Sequence, residues 1–224
     1  MVDNRHYTDN FIIYSSSIAS EYCKKYGYDF YYIRPFLDEN FDIYNCLNPL
    51  NNNKRHASWS KLLGVKHIVE KNNYNTIFYL DTDCIFTDFN TSLEEFLINT
   101  HKEIFFFNNK PYGGEYNNTL PCAGVFGFKI KNRENIINFI NKWFHTQSND
   151  IQHAWEQDAL WKFYEQHLHE IDIIDTWMFK EYDGQFIRHV GFPESHIRYE
   201  RFKNEYLKHN ISDINIKYIE LKTN

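Results

Sequence analysis

Cysteine is scarce in this chain of 224 residues: Cys23, Cys46, Cys84 and Cys122 are scattered, with no CxxC spacing. That argues against a disulfide framework or a thiolate zinc site and makes a reducing compartment the default. No apolar stretch approaches the roughly 20 residues that a bilayer-spanning helix needs, and Met1-Val2-Asp3-Asn4-Arg5 opens no signal peptide. The chain therefore reads as soluble, with the cytoplasm as its expected location. Basic residues are in the minority, 24 Lys and Arg against 30 Asp and Glu, for a formal net charge of -6. A nucleic-acid surface needs a basic footprint, so this balance argues against one. For a ligand carrying phosphates, a metal becomes the natural source of positive charge. Internal repeats and interdomain linkers are also missing, which points to one domain large enough for a substantial core.

Rings are plentiful. With 20 Phe and 17 Tyr, the core has to be built largely from aromatic side chains. A helix is expected over 10–26, with Gly27 as its stop, followed by a strand in "YDFYYI" (28–33). A long polar connection follows, with a mobile tip at 51–53. The next helix, 57–71, carries Trp59, Leu62, Leu63 and Val69 as one apolar stripe. Strands are expected at "IFYL" (77–80), "EIFFFN" (103–108), "GVFGFKI" (124–130), "IDIID" (171–175) and "GQFIRHV" (184–190). Helical spacing of Ile136, Phe139, Ile140, Trp143 and Phe144, and of "QHAWEQDALWKFYEQH" (152–167), supplies two further helices. The loop 111–121 is marked by Gly and Pro. This alternation predicts an α/β fold, a mostly parallel central sheet flanked by helices. It places the domain at 1–196, with a charged tail at 197–224, helical and then extended.

The chemistry starts at "YNTIFYLDTDCIFTD", where an apolar run stops at Asp81-Thr82-Asp83. A run of this kind suits a strand buried on both faces, and its carboxyl end is where open α/β sheets place ligands. Residues two apart in extended chain project to one side. Asp81 and Asp83 can then converge on one hard cation, or divide between a cation and a sugar hydroxyl, or end the strand as a solvated acidic turn. Lys61 lies on a helix beside apolar Trp59, Leu62 and Leu63, suited either to phosphates as a point charge or to solvent. Trp59 reads as core. Glu156, Gln157 and Asp158 open a helix, where carboxylates are favoured by about 0.3–1 kcal/mol without any catalytic role. Gly124 permits close backbone approach. His153, His167 and His169 read as surface residues, and Tyr112-Gly113-Gly114 as a loop of little weight.

The ordered set "HASWSKLLGVKHIVEKNNYNTIFYLDTDCIFTD", "CAGVFGFKI", "WEQDAL" and "HVG" resembles the galactosyltransferase family that includes plant xyloglucan xylosyltransferases and fungal α-galactosyl- and mannosyltransferases. The resemblance covers roughly 20–192. It implies a GT-A fold and a retaining glycosyltransferase that moves a sugar from a nucleotide-sugar donor, with a UDP-sugar as the expectation, to a glycan or other hydroxyl acceptor. It also implies a divalent ion, Mn²⁺ or Mg²⁺. By resemblance, Asp83 and His189 bind the metal, with Asp81 contributing to metal, ribose or both. Lys61, Gly124 and Gly191 line the cofactor side, and Glu156 and Gln157 face the donor sugar, with Asp158 as a secondary candidate. Plant members have Asp-Asp-Gln, so Glu156 is a departure that keeps the charge and moves it outward. Plant and fungal members sit in the Golgi behind a membrane anchor. A Golgi location would fit this chain only as a fragment.

Two enzyme classes fit less well. A haloacid-dehalogenase-like phosphatase also follows an apolar strand with Asp-x-Asp, but its motif opens the domain and continues to Thr or Val, whereas Ile85 stands here. A sugar-1-phosphate nucleotidylyltransferase needs a Gly-rich basic phosphate loop near the N-terminus, and none is present. A degenerate GT-A domain that binds a sugar or a partner without transfer is the non-enzyme alternative. A GT-A domain opens with a strand that helps hold the base. "MVDNRH" is too short and polar for one, so the opening strand is expected to be missing, by truncation or as a minimal form, leaving an open base side and weak donor affinity.

Overall fold

The computed structural model describes residues 1–39, 42–108, 120–148, 150, 155–174, 179–181, 184–191, 195–211 and 214–223. Its centre is a four-stranded sheet in the order β4 (Thr76–Leu80), β7 (Pro121–Lys129), β6 (Ile104–Asn108), β8 (Ile171–Ile174). β6 is buried throughout, and β7 at all but its last residue. A strand with both faces covered needs an unbroken apolar run, which "IFFFN" supplies. Along β7, Phe126 packs into one aromatic cluster and Val125 into another, so the sheet separates two cores.

One core lies under α2 (Ser60–Lys71), α4 (Arg133–His145) and α5 (Trp155–Gln166), around Trp59, Phe106, Phe126, Phe139 and Trp143. The other is built by α1 (Ile12–Tyr26), α6 (Ser195–Lys208) and the strands β5 (Cys84–Phe86) and β10 (Ile187–His189), and β9 (Phe179–Glu181) pairs with β10 in the same small sheet. α1 ends as expected at Gly27, whose φ of 73° lies in the left-handed region. α3 (Leu93–Phe96) is a single turn closed by a Ser92–Glu95 capping box.

The pairing is mixed in detail: β6 and β8 are parallel, while β7 runs against both of its neighbours. Three other features differ from the sequence expectation. The polar connection contains an antiparallel hairpin, β2 (Tyr44–Leu47) with β3 (Lys54–His56). The strand expected at 28–33 is β1 (Tyr31–Phe36), drawn C-terminally by parallel pairing with β11 (Lys217–Lys222). β5 is too short to show any periodicity, and only its antiparallel partner β10 defines it. The tail packs on the rest, with Phe202 of α6 against Phe11 at 5.5 Å between ring centroids.

The amino end takes an extended path beside β1. Val2 bridges Ile33 in parallel, with Ile33 N–H donating to the Met1 carbonyl and Asp3 N–H to the Ile33 carbonyl, both at 3.0 Å. This contributes one bridge rather than a strand where the opening strand was expected to be missing. A cavity of about 560 Å³ adjoins it, lined by Tyr31, Ile33, Ile77, Tyr79 and Leu80 among others. No helix among the described residues is long and apolar enough to cross a membrane.

Candidate functional site

The carboxyl end of β4 makes a hydrogen-bonded reversal. Asp81 N–H donates to the Gly124 carbonyl at 2.8 Å, and Cys84 N–H donates back to the Asp81 carbonyl at 3.0 Å before β5 begins. β10 then sets His189 opposite Cys84, and Val190 N–H donates to the Asp83 carbonyl at 2.8 Å. These contacts bring the His189 ring to Asp83, with Nε2 and Oδ1 3.4 Å apart. The two residues come from opposite halves of the chain, joined by one short antiparallel pair.

Asp81 faces another set of groups. Its Oδ2 accepts from the Lys61 ammonium at 2.9 Å, and the Tyr79 hydroxyl donates to Oδ1. Lys61 also reaches Glu156 Oε1 at 2.8 Å and donates to the Ala123 carbonyl at 3.2 Å. An ammonium has three donors, and all three are used. Lys61 and Glu156 are buried. Burial pushes the Asp81 carboxyl up to about 6, with the Lys61 charge opposing. For Lys61, burial works against the charged form, but Asp81 and Glu156 outweigh it and hold the pKa above its ordinary value. Burial would raise Asp83 too, yet the neighbouring His189 and then Arg198 hold it well below the usual carboxylate range.

The expected residues therefore separate. Asp81, Asp83, Gly124, His189, Lys61 and Glu156 form one continuous cluster. A Cβ on Gly124 would lie 3.1 Å from Asp81 Oδ2 and 3.7 Å from His189 Cε1, so the absent side chain keeps this space open. Lys61, expected to meet phosphates, is instead enclosed between two carboxylates, because three acceptors converge on its helix turn. Gln157 adjoins the cluster but has both amide ends on β7, donating to the Pro121 carbonyl and accepting from Ala123 N–H, each at 2.7 Å. Asp158 is not brought in: it accepts from Ser148 at 2.6 Å and pairs with Lys162 at 2.7 Å. Gly191, two residues after His189, gives its carbonyl to Arg198. Trp59 is fully buried beneath the Arg55 guanidinium, 3.8 Å from the ring centroid, as a core residue. His167 is less exposed than expected, because it bonds Glu170 at 2.9 Å. Tyr112, Gly113, Gly114 and His153 lie outside the described residues.

Sequence reasoning gave no role to three neighbours. Tyr79 alternates with Asp81 along one side of β4, a period-two signal that could have been read. Asp3 accepts from the Thr82 hydroxyl at 2.6 Å, which ties the amino end to the reversal, and no local pattern announces it. Cys84 Sγ lies with Asp83 and His189 in a group whose ligand atoms fall within 4.8 Å of one another. Burial holds the Cys84 thiol well above its ordinary pKa, and thiolate is the form that binds metals. The hard carboxylate and the imidazole are then the natural donors, a set that suits Mn²⁺ or Mg²⁺. The space kept open at Gly124 fits an ion beside them.

No family model matches the chain, and no curated protein matches it in sequence. Among solved structures, the chain is similar to a glycosyltransferase involved in the glycosylation of the major capsid of PBCV-1, with a TM-score of 0.66 at 14% identity. That similarity spans 89% of this chain and 96% of the other. The fold of this chain is that of a single GT-A-like α/β domain.

Proposed function

We propose that the protein is a glycosyltransferase that moves a sugar from a nucleotide-sugar donor to a hydroxyl acceptor with the help of a divalent ion. The observation that carries this reading is the approach of His189 to Asp83 at 3.4 Å just past the carboxyl end of β4, on a GT-A-like fold. Asp83 and His189 would hold the ion, Mn²⁺ ahead of Mg²⁺ because of the imidazole, with Asp81 beside them. When bound, the ion would supply Lewis-acid stabilisation of the diphosphate leaving group.

The remaining chemistry falls to the chain's own residues. Lys61 fixes the half-buried Asp81 and the buried Glu156 as a pair of carboxylates with a shared cation. Glu156 Oε2 is buried without a hydrogen-bond partner among the described residues, so it is the group best placed to meet a donor-sugar hydroxyl or a developing positive charge. Gln157 holds the backbone around Ala123 and thereby the glycine that borders the site. Among the described residues no carboxylate stands apart as a dedicated nucleophile, which fits front-face transfer with retention, the leaving diphosphate oxygen taking the acceptor proton. Orientation and charge stabilisation then carry the rate. A UDP-sugar is the donor to try first.

The test is hydrolysis of a nucleotide-sugar panel with Mn²⁺. Turnover of at least one member is expected, lost by about 100-fold or more in Asp83→Asn and in His189→Ala. Release of phosphate from generic phosphoesters without nucleotide-sugar turnover would overturn the reading. Nucleotide-sugar binding with no turnover would favour a binding domain.

A further inference from the structure

With Lys61 fully engaged, the positive charge for a diphosphate has to come from elsewhere in a chain of net charge -6. Two arginines flank the Asp83–His189 pair, one tethered to each side of it. Arg5 makes a two-pronged salt bridge to Asp3, with Nε to Oδ1 at 2.9 Å and Nη2 to Oδ2 at 2.7 Å. Asp3 in turn accepts from Thr82, between Asp81 and Asp83. Arg198, in the first turn of α6, donates through Nη2 to the carbonyl of Gly191, two residues past His189. Both guanidiniums lie against one fully buried ring, Phe11, at 5.2 and 5.4 Å from its centroid. The two cations are therefore within about 11 Å of each other.

Arg5 is balanced by its two-pronged pair with Asp3, whereas Arg198 donates only to a backbone carbonyl among the described residues. Arg198 Nε is moreover buried without an acceptor among the described residues, and a charged donor left in that state is costly. Arg5 is the more exposed of the two, its side chain 43% open. Its salt bridge fixes the plane of the guanidinium and leaves Nη1 without an acceptor among the described residues. A planar, permanently charged fork of this kind suits phosphate oxygens better than a lysine point charge does.

We infer that Arg5 and Arg198 form a two-arginine cradle for the diphosphate of the ligand. The inference rests on the reading of the site as one for a nucleotide sugar, and it assigns the phosphate contact to these residues in place of Lys61.

Calorimetric titration of inorganic pyrophosphate, in the presence of Mn²⁺, tests it on the full chain. Arg5→Gln and Arg198→Gln are each expected to weaken binding about tenfold, and the double variant about 100-fold. Lys71→Gln, which removes the same charge from the exposed far end of α2, should leave affinity unchanged. Should Arg198→Gln lower the melting temperature, Arg198→Lys replaces it and is expected to lose affinity while melting as the wild type does. Wild-type pyrophosphate affinity in both arginine variants, or an equal loss in Lys71→Gln, would overturn the cradle. Nucleotide-sugar hydrolysis separates the two ideas. If wild type hydrolyses the donor and the arginine variants bind pyrophosphate normally, the cradle fails alone. If the arginines govern pyrophosphate binding but wild type turns over no donor, the transferase reading fails alone.

Discussion

Asp81 and Asp83 are two residues apart on one reversal, yet they occupy opposite electrostatic settings. Asp81 is held at both oxygens, by Lys61 and by Tyr79, and shares its cation with Glu156. Asp83 has an imidazole beside it and an arginine further out, and its pKa falls where that of Asp81 rises. Two carboxylates on one strand end are thus made unequal by what packs against them. One is tied into the framework by Lys61 and Tyr79, and the other is the carboxylate that we propose meets the ion. Separating the environments of paired carboxylates is a general way for one site to give them different tasks.

The comparison breaks most severely at Lys61. Replacing it with Met would strand the buried Glu156 and the half-buried Asp81 without their cation, and the expected loss of folding stability is about 3–5 kcal/mol. Urea unfolding measures it, and Lys61→Met combined with Glu156→Gln should recover part of the loss. Near-wild-type stability in the single variant would show that the pair is solvated and not structural.

A pH experiment separates the two aspartates directly. The folded-state pKa of Asp81 is raised from 3.8 to about 6, so the native state holds that proton more tightly than the unfolded chain does. Its contribution to stability is present below about 4 and is lost as pH rises through about 6. Metal-free wild type should therefore lose stability over this window relative to Asp81→Asn, as followed by denaturant midpoints at each pH. Parallel curves for the two proteins would contradict the unequal settings.

Gly124→Ala is a smaller perturbation. The new Cβ would sit 3.1 Å from Asp81 Oδ2, tight enough to shift that carboxylate by a few tenths of an ångström. A few-fold to about tenfold loss of turnover is expected, with stability little changed. The smallest effect belongs to Asp158→Ala. Its bonds to Ser148 and Lys162 lie on the partly exposed flank of α5, so both turnover and stability should stay near wild type, within about 0.5 kcal/mol for stability. A large loss of turnover there would return Asp158 to the site.

Much of the framework was legible because its signals are local. Gly27 stops α1, "IFFFN" is long and apolar enough to be a buried strand, and Phe139 and Trp143 repeat at helical spacing. The small pieces were not legible. β5 and the two strands of the β2–β3 hairpin are three or four residues each, and only a partner across the sheet makes them strands, whereas β10 falls inside the strand expected at 184–190. Gln157 and Asp158 show the same limit within one helix. Adjacent positions point about 100° apart around the axis, and sequence alone leaves open which of them meets the sheet.

The sequence by itself determined an aromatic core, an alternating α/β layout and a pair of aspartates at a strand end, because periodicity and an abrupt change of polarity are properties of neighbouring residues. The family resemblance implied that His189 and Asp83 share one ion; the tertiary structure alone decided that Lys61 is enclosed by Asp81 and Glu156 and that Arg5 and Arg198 share Phe11. Those contacts join distant parts of the chain. Burial and the charges that packing brings close then set what each ionisable group can do, and neither quantity is carried by a residue's own type or by its neighbours in sequence.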